Sequence, residues 1–397
     1  MRNYMRWLAI LTLVAALLAV GGTSCSDEGA GDAEPYKIGA VFSLTGPASN
    51  LGVPEEQTIE MMVDEINEAG GVNGHPLEVI IYDTETNAEK CATLVNRLIE
   101  QDEVLAIIGP TTSGNSMAII ETVTSAKIPL ISCAASIDIV TPVEDRYWVF
   151  KTPQTEVQAI TDIYYFLEAK GITKVALITD TSGYGAAGRK YLMSDAADWG
   201  ITIVDDQTFS SGDTSMQSQL THIKGTDAEA VVCWATDKES ATVAQDMKTL
   251  QMGIPLYCSH GVANRGFIDA GGDSVEGVII PAGKLLAADQ IPASDPQYET
   301  LTSYKASYEA IYGEGSINTF GGHAYDSLSW VVIALEKLPD DLDTAAARAF
   351  IRDEIEKIEG FAGTGGVFTL SPQDHLGMAP GSLLMYEIVD GDWSWLQ

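Results

Sequence analysis

From Tyr36 to about residue 283, short runs rich in valine, isoleucine and leucine alternate with stretches of helical periodicity, and that rhythm leaves few folds open. KIGAVF (37–42), LEVIIYD (77–83), VLAIIG (104–109), IPLIS (128–132) and YWVF (147–150) read as strands. Between them, 55–69, 87–100 and 113–126 read as helices. The first carries Ile59, Met62, Val63 and Ile66 on one face and stops at Gly70-Gly71. A second series follows: helix 156–170, strand KVALITD (174–180), helix 186–199, strand ITIVDD (201–206), helix 214–224, strand AEAVVCWA (228–235), helix 239–251, and strands IPLYCS (254–259) and EGVIIPA (276–282). Strands apolar on both faces, separated by amphipathic helices, predict parallel sheets covered on both sides, an α/β fold.

After residue 283 the alternation stops. Residues 296–312, 322–337 and 344–358 read as helices, then GGVFTL (365–370) and SLLMYEIVDGDWSW (382–395) as antiparallel strands, the second with an Asp-Gly turn. Helices without strands of their own must cover a sheet already built. The simplest path sends them back over the first sheet and then adds the last strands to the second. This predicts two Rossmann-like lobes, 36–150 with 284–364 and 151–283 with 365–397. About three crossing segments would join them as a hinge.

The charge balance narrows the partners. With 22 basic residues among 56 acidic ones and a net charge of -34, the chain lacks the basic stripe that nucleic acid requires. At the amino terminus, Arg2 and Arg6 precede an apolar run from Trp7 to Val20, followed by Gly21, Gly22, Thr23, Ser24 and Cys25. A basic start, a short apolar core and small residues make a secretory signal. The ending on cysteine resembles a lipoprotein cleavage box, although Gly22 stands where an aliphatic residue is usual. Residues 1–25 are thus expected to be the signal, Cys25 the lipidated residue, and 26–35 a flexible tether to the membrane. Of Cys91, Cys133, Cys233 and Cys258, none forms a CxxC pair that would suggest zinc. Cys233 with Cys258 is the one pair considered for a disulfide, and buried free thiols are the favoured reading.

In open parallel sheets, ligands bind beyond the carboxyl ends of the strands. After strand 104–109 comes Gly-Pro-Thr-Thr-Ser-Gly-Asn-Ser (109–116), where Thr112 and Ser113 open a helix whose free N–H groups suit a carboxylate. An ordinary cap by Ser113 is the plainer alternative. After strand 128–132 lies Cys-Ala-Ala-Ser-Ile-Asp (133–138), small enough to admit a ligand to the backbone and offering Ser136. Gly183-Tyr184-Gly185-Ala186-Ala187-Gly188 fits G-x-G-x-x-G, with Asp205 at the end of the next strand. That pattern supports a nicotinamide-dependent oxidoreductase as an alternative. It ranks lower, because the match begins after a whole lobe, an exported protein has poor access to the cofactor, and no proton relay stands out among the histidines. A simpler role has Tyr184 covering a ligand held by the other lobe. Strand ends 228–235 and 254–259 offer Trp234, Thr236 and His260. No metal-binding or nucleophile motif is present, and no cofactor is expected.

Together these segments resemble the type I periplasmic binding proteins of the leucine/isoleucine/valine-binding family over about 36–397. The carriers are IGAVFSLTGPASNLG (38–52), EINEAGGVNGHPLEVIIYDTETN (65–87), IIGPTTSG (107–114), IPLISCAAS (128–136), DTSGYGAAG (180–188) and GVANRGFIDAGGDSVEGVIIP (261–281). The resemblance implies a hinged Venus-flytrap fold, a non-enzymatic monomer, and delivery of a small carboxylate to an inner-membrane ABC permease. It implies that Ser113 holds the ligand carboxylate, with Ala135 and Ser136 beside it, Tyr184 covering the ligand and Leu51 shaping the side-chain pocket. One departure matters. Amino-acid binders of the family commonly have an acidic residue where His260 stands, to pair with the α-ammonium, and a histidine cannot replace it. The expected ligand is therefore an aromatic or branched aliphatic acid. Asp138 is the nearby carboxylate that could still serve a branched-chain amino acid. A ligand-sensing receptor of the same fold is the second reading. With no further membrane segment or enzymatic domain read before Gln397, transport is favoured.

Overall fold

The computed structural model describes residues 33–396, so the signal segment, Cys25 and most of the tether lie outside the described residues. The first half of the chain runs β1 (Tyr36–Phe42), α1 (Ser49–Glu68), β2 (Leu77–Asp83), α2 (Ala88–Glu100), β3 (Ile107–Ile108), α3 (Ser113–Ala126), β4 (Leu130–Ser132) and β5 (Val149–Lys151). These strands form one sheet in the order β2-β1-β3-β4-β5, parallel throughout. β3 is shorter than the 104–109 run, yet Leu105 N donates to Lys37 O at 2.8 Å and Gly109 N to Ile131 O at 2.9 Å, so the whole run is held between its neighbours. Helix α1 begins earlier than its periodicity suggested and contains Pro54. A proline is most at home in a helix's first turn, which pulls the sequence-based start towards it.

The second series is α4 (Glu156–Ala169), β6 (Lys174–Asp180), α5 (Gly183–Asp195), β7 (Thr202–Phe209), α6 (Gln217–Lys224), β8 (Ala230–Trp234), α7 (Asp237–Thr249), β9 (Leu256–Cys258), α8 (Arg265–Gly271) and β10 (Ile279–Gly283). The seven residues of α8 are too few for a periodic signal, and that helix was not foreseen. Then come α9 (Tyr298–Tyr312), α10 (Thr319–Leu335), α11 (Thr344–Ile355), β11 (Phe361–Ala362), β12 (Val367–Phe368), β13 (Leu383–Val389) and β14 (Asp392–Trp395). The second sheet has the order β14-β13-β10-β9-β8-β6-β7. Its strands β6 to β10 pair in parallel, and β13 and β14 are added antiparallel through the turn at Asp390-Gly391.

The three late helices return to the first sheet. Tyr304 OH meets Thr58 Oγ1 at 2.8 Å, Arg348 Nε donates to Val104 O at 2.9 Å, and Arg352 Nε to Tyr147 O at 2.9 Å. The chain therefore passes between the two sheets after β5, after β10 and again before β13. Four cysteines, Cys91, Cys133, Cys233 and Cys258, are buried free thiols, although Cys233 and Cys258 sit opposite each other on β8 and β9.

One strand assignment is corrected. GGVFTL does not join the second sheet; Val367–Phe368 pairs with Phe361–Ala362 in a separate two-stranded ribbon. The cause is a buried carboxylate. Asp326 on α10 accepts from Thr364 N at 2.7 Å and Gly365 N at 2.8 Å, while Thr364 Oγ1 donates to Gly322 O at 2.7 Å. These bonds hold the turn between β11 and β12 on α10, and the chain reaches the second sheet only at Leu383. Burial raises the Asp326 carboxyl to about 7 against the pull of those two amides. Replacing Asp326 with alanine leaves two buried N–H groups unpaired, and urea unfolding should show a loss of about 2–4 kcal/mol.

Candidate functional site

The strand-end loops of both sheets converge on one cavity lined by thirteen residues: Leu51, Thr111, Thr112, Ser113, Cys133, Ala135, Pro153, Tyr184, Thr236, His260, Gly261, Phe320 and His323. It encloses about 410 Å³ of empty space when the open solvent at its mouth is included. Not one lining residue is acidic.

On the first lobe, Thr112 occupies the position before α3 and makes no side-chain cap bond. The first-turn amides of that helix are therefore not consumed by a cap, and the positive end of its dipole lies at the cavity wall. Ser113 is the first helical residue and not its cap. Its Oγ accepts from Ser136 N at 3.2 Å, joining the two loops and leaving its own proton free to donate. Ala135 lines the cavity; Ser136 does not. The Ser136 hydroxyl donates to Glu156 Oε1 at 3.3 Å and accepts from Asp138 N at 3.3 Å, so it braces the loop from behind. Thr111 lines the wall but is saturated, donating to Glu55 and accepting from Ser43 N at 3.0 Å.

On the second lobe, Tyr184 is half-buried at the start of α5. Its oxygen accepts from Gly261 N at 3.1 Å and lies 3.3 Å from His260 Nε2. Trp234 is fully buried and does not line the cavity. It packs beneath Tyr184 and His260 with ring centroids 5.7 and 5.6 Å away, so its place is in the core under the aromatic wall. Thr236 lines the cavity.

Burial lowers His260 and His323 to about 3, with the positive charge of Lys151 adding to the effect, so both rings are neutral at ordinary pH. Lys151, at the first crossing, donates to Pro153 O and to Gln154 O (3.2 Å), and burial pulls its ammonium down to about 7. Asp138 does not face the cavity. It pairs with Lys190 of α5 at 3.3 Å, an ion pair that spans the two lobes. The lobes also meet where a Cβ on Gly183 would stand 3.1 Å from Gly114 Cα.

The G-x-G-x-x-G match is explained by packing. Gly183 is pressed against Gly114, and a Cβ on Gly188 would come within 2.3 Å of the Trp234 ring. Asp205, the residue that would meet a ribose, accepts from Gln207 Nε2 at 2.9 Å and Asp206 N at 2.8 Å, and pairs with His222. Sequence reasoning missed Thr111, Cys133, Pro153, Gly261, Phe320 and His323. Phe320 and His323 come from the first turns of α10, outside the alternating region, where no strand end marks a site.

Residues 35–392 match the profile of a family described as periplasmic binding protein. The chain is 21% identical over 273 residues to the Leu/Ile/Val-binding protein of Escherichia coli (strain K12), covering 69% of this chain and 74% of that one. Its fold is similar to an extracellular ligand-binding receptor from Rhodopseudomonas palustris HaA2, with a TM-score of 0.85, 27% identity, and 91% and 99% of the two chains covered. It is also similar to the branched-chain amino acid transporter substrate binding protein LivJ from Streptococcus pneumoniae, solved with isoleucine (TM-score 0.80, 25% identity, 91% and 98% covered).

The neutral histidines give a pH signature. His323 takes up a proton near pH 6.5 when unfolded but only near 3 when folded. The stability it contributes is complete above pH 6.5 and is lost as pH falls towards 3, at about 1.4 kcal/mol per pH unit. His323→Gln removes that titration and leaves other groups in place. The stability gap between wild type and variant, from urea unfolding, should narrow by about that amount per unit between pH 6 and pH 4. A gap independent of pH would return the ring to its ordinary value.

Proposed function

The chain belongs to the periplasmic binding protein family and is a binding protein, not an enzyme; on that footing we propose that it is the extracytoplasmic solute-binding component of an ABC importer, closing its two lobes on a small carboxylate. The observation that carries this reading is the cavity itself. The amino-terminal turn of α3, with Ser113, faces Tyr184 and His260 across a largely apolar space, and no lining residue carries a negative charge. A helix start and a free hydroxyl suit an anionic oxygen. Burying an ammonium in the same space would leave it without a counter-ion, at a cost of several kcal/mol.

Leu51 and Phe320 supply apolar surface and Tyr184 an aromatic face, which favours a branched aliphatic or aromatic acid. The relatives named for leucine, isoleucine and valine keep a branched-chain amino acid as the second candidate, and the displacement of Asp138 to Lys190 weighs against it. The lobe division 36–150 with 284–364 and 151–283 with 365–397 belongs to the same reading. Sheet membership supports it, with Leu383 rather than residue 365 as the point of re-entry to the second sheet. Tethering through a lipid on Cys25, hand-over to an inner-membrane permease and action as a monomer are further parts of the proposal.

Thermal unfolding against a panel of small carboxylates tests the proposal. A ligand at 100 times its Kd should stabilise the protein by about 2.7 kcal/mol. Ser113→Ala should weaken every bound carboxylate by roughly 1–3 kcal/mol in calorimetric titration, because a charge-assisted donor is lost. Unaltered affinity would remove Ser113 from the site. Tighter binding of leucine or valine than of every deaminated analogue would overturn the ligand class and leave the family intact.

A further inference from the structure

Away from the ligand cavity, the outer edge of the first sheet is left open. β2 is the last strand on that side. Tyr36 N donates to Pro76 O at 2.9 Å and Thr84 N to Phe42 O at 2.8 Å, so the even-numbered residues of this run turn their N–H and C=O groups to β1. The odd-numbered ones turn theirs outward. At Leu77 the outward pair is filled by one side chain, Asn67, whose Oδ1 accepts from Leu77 N at 2.8 Å and whose Nδ2 donates to Leu77 O at 2.9 Å. Asn67 thus makes the two bonds that a residue of an added strand would make. At Val79 and Ile81, among the described residues, no hydrogen bond reaches the outward groups. Two open rungs of the ladder therefore follow one that is already filled.

The side chains at those rungs line a surface groove. Val79 and Ile81 share it with Tyr312 and with Ile311, which is 59% exposed. Glu56, Glu60 and Asp64 line it too, four residues apart on α1 and so on one face of that helix. Burial raises the Tyr312 phenol, and the charges of Glu60, Asp64 and Glu56 raise it further, so all three carboxylates act on the aromatic ring of the groove. No lining residue is basic. A free strand edge, an apolar surface and a row of negative charge thus occupy one place.

We propose that this edge docks an extended basic segment of a partner protein, which pairs with β2 at Val79 and Ile81 and sets lysine or arginine side chains against Glu56, Glu60 and Asp64. In strand addition the main-chain bonds supply affinity, and the surface under alternate side chains supplies selectivity. Here the sign of the charge selects the occupant. A second copy pairing β2 with β2 would bring two acidic rows together. The chain's own segment 26–35 ends beside the start of β2, where His75 Nδ1 meets Glu34 O at 2.7 Å. It carries Asp27, Glu28, Asp32 and Glu34 and no basic residue, so it is repelled from the same row.

Residue-resolved hydrogen exchange of the full chain, at about 0.15 M salt so that distant charges are screened, tests it with two synthetic peptides. One is Lys-Val-Lys-Val-Lys-Val-Lys; the other has its middle valine replaced by proline, which keeps the charge and cannot complete a ladder. At about ten times its Kd, the unbroken peptide should slow exchange of the Val79 and Ile81 amides roughly tenfold, because only the unbound fraction exchanges. Glu60→Lys/Asp64→Lys, two exposed positions, should abolish that protection. Asp198→Lys/Glu299→Lys, an equal change of charge at exposed positions outside the groove, should leave it intact. Equal protection by the proline peptide, or protection that survives Glu60→Lys/Asp64→Lys, would reduce the effect to attraction by net charge and overturn the proposal. So would the absence of protection by either peptide. Protection of the same amides that grows with protein concentration alone, with a dimer in sedimentation, would replace the basic partner by a second copy.

Discussion

A parallel sheet ends all its strands at one edge, and that constraint underlies the rest of this molecule. Each strand of the alternating series hands the chain to a helix at the same rim, so the loops at 109–116, 133–138, 181–185, 235–236 and 259–261 gather there whatever else they contain. Two such rims facing each other make a cleft without a dedicated ligand-binding domain. The chain then passes between the sheets at three places, and its last helices are committed to the first sheet and its helix α1 by buried contacts such as Arg348 to Val104 and Tyr304 to Thr58.

Within the cleft, the chemistry follows from water exclusion. Lys151, Glu156, His260 and His323 are all buried near one another, and burial pushes each towards its uncharged form. Glu55, buried behind Thr111, is likewise driven well above the usual carboxylate range. The site therefore meets its ligand with dipoles, hydroxyls and amides in place of net charges. Such groups are held in position by the fold and need little rearrangement when an anionic oxygen arrives.

Most of the architecture was legible because hydrophobic period is a strong signal where each strand is apolar on both faces. Strand KVALITD and helix 113–126 were read to the residue. What escaped has physical reasons. A seven-residue helix such as α8 is shorter than the window in which a period can be seen, and GGVFTL is strand-like in pattern but captured by Asp326, which is distant in sequence. In the site, Leu51, Thr112, Ser113, Ala135, Tyr184, Thr236 and His260 share the cavity because each sits in a loop or helix start that the fold brings to it. Trp234, the last residue of β8, points into the core, an outcome set by the pleat and not by its position in the loop. Phe320 and His323 could have been found only by asking which helix starts, and not only which strand ends, reach the cleft.

The bond between Lys190 and Asp138 bridges the lips of the cleft, and both side chains remain about half in water, at 55% and 40% exposure. A pair so placed contributes at most about 1 kcal/mol and weakens as salt rises. The clasp is therefore too weak to hold an empty trap shut. On the proposed reading, the contacts a bound ligand makes with both rims add to this clasp what the ion pair by itself lacks.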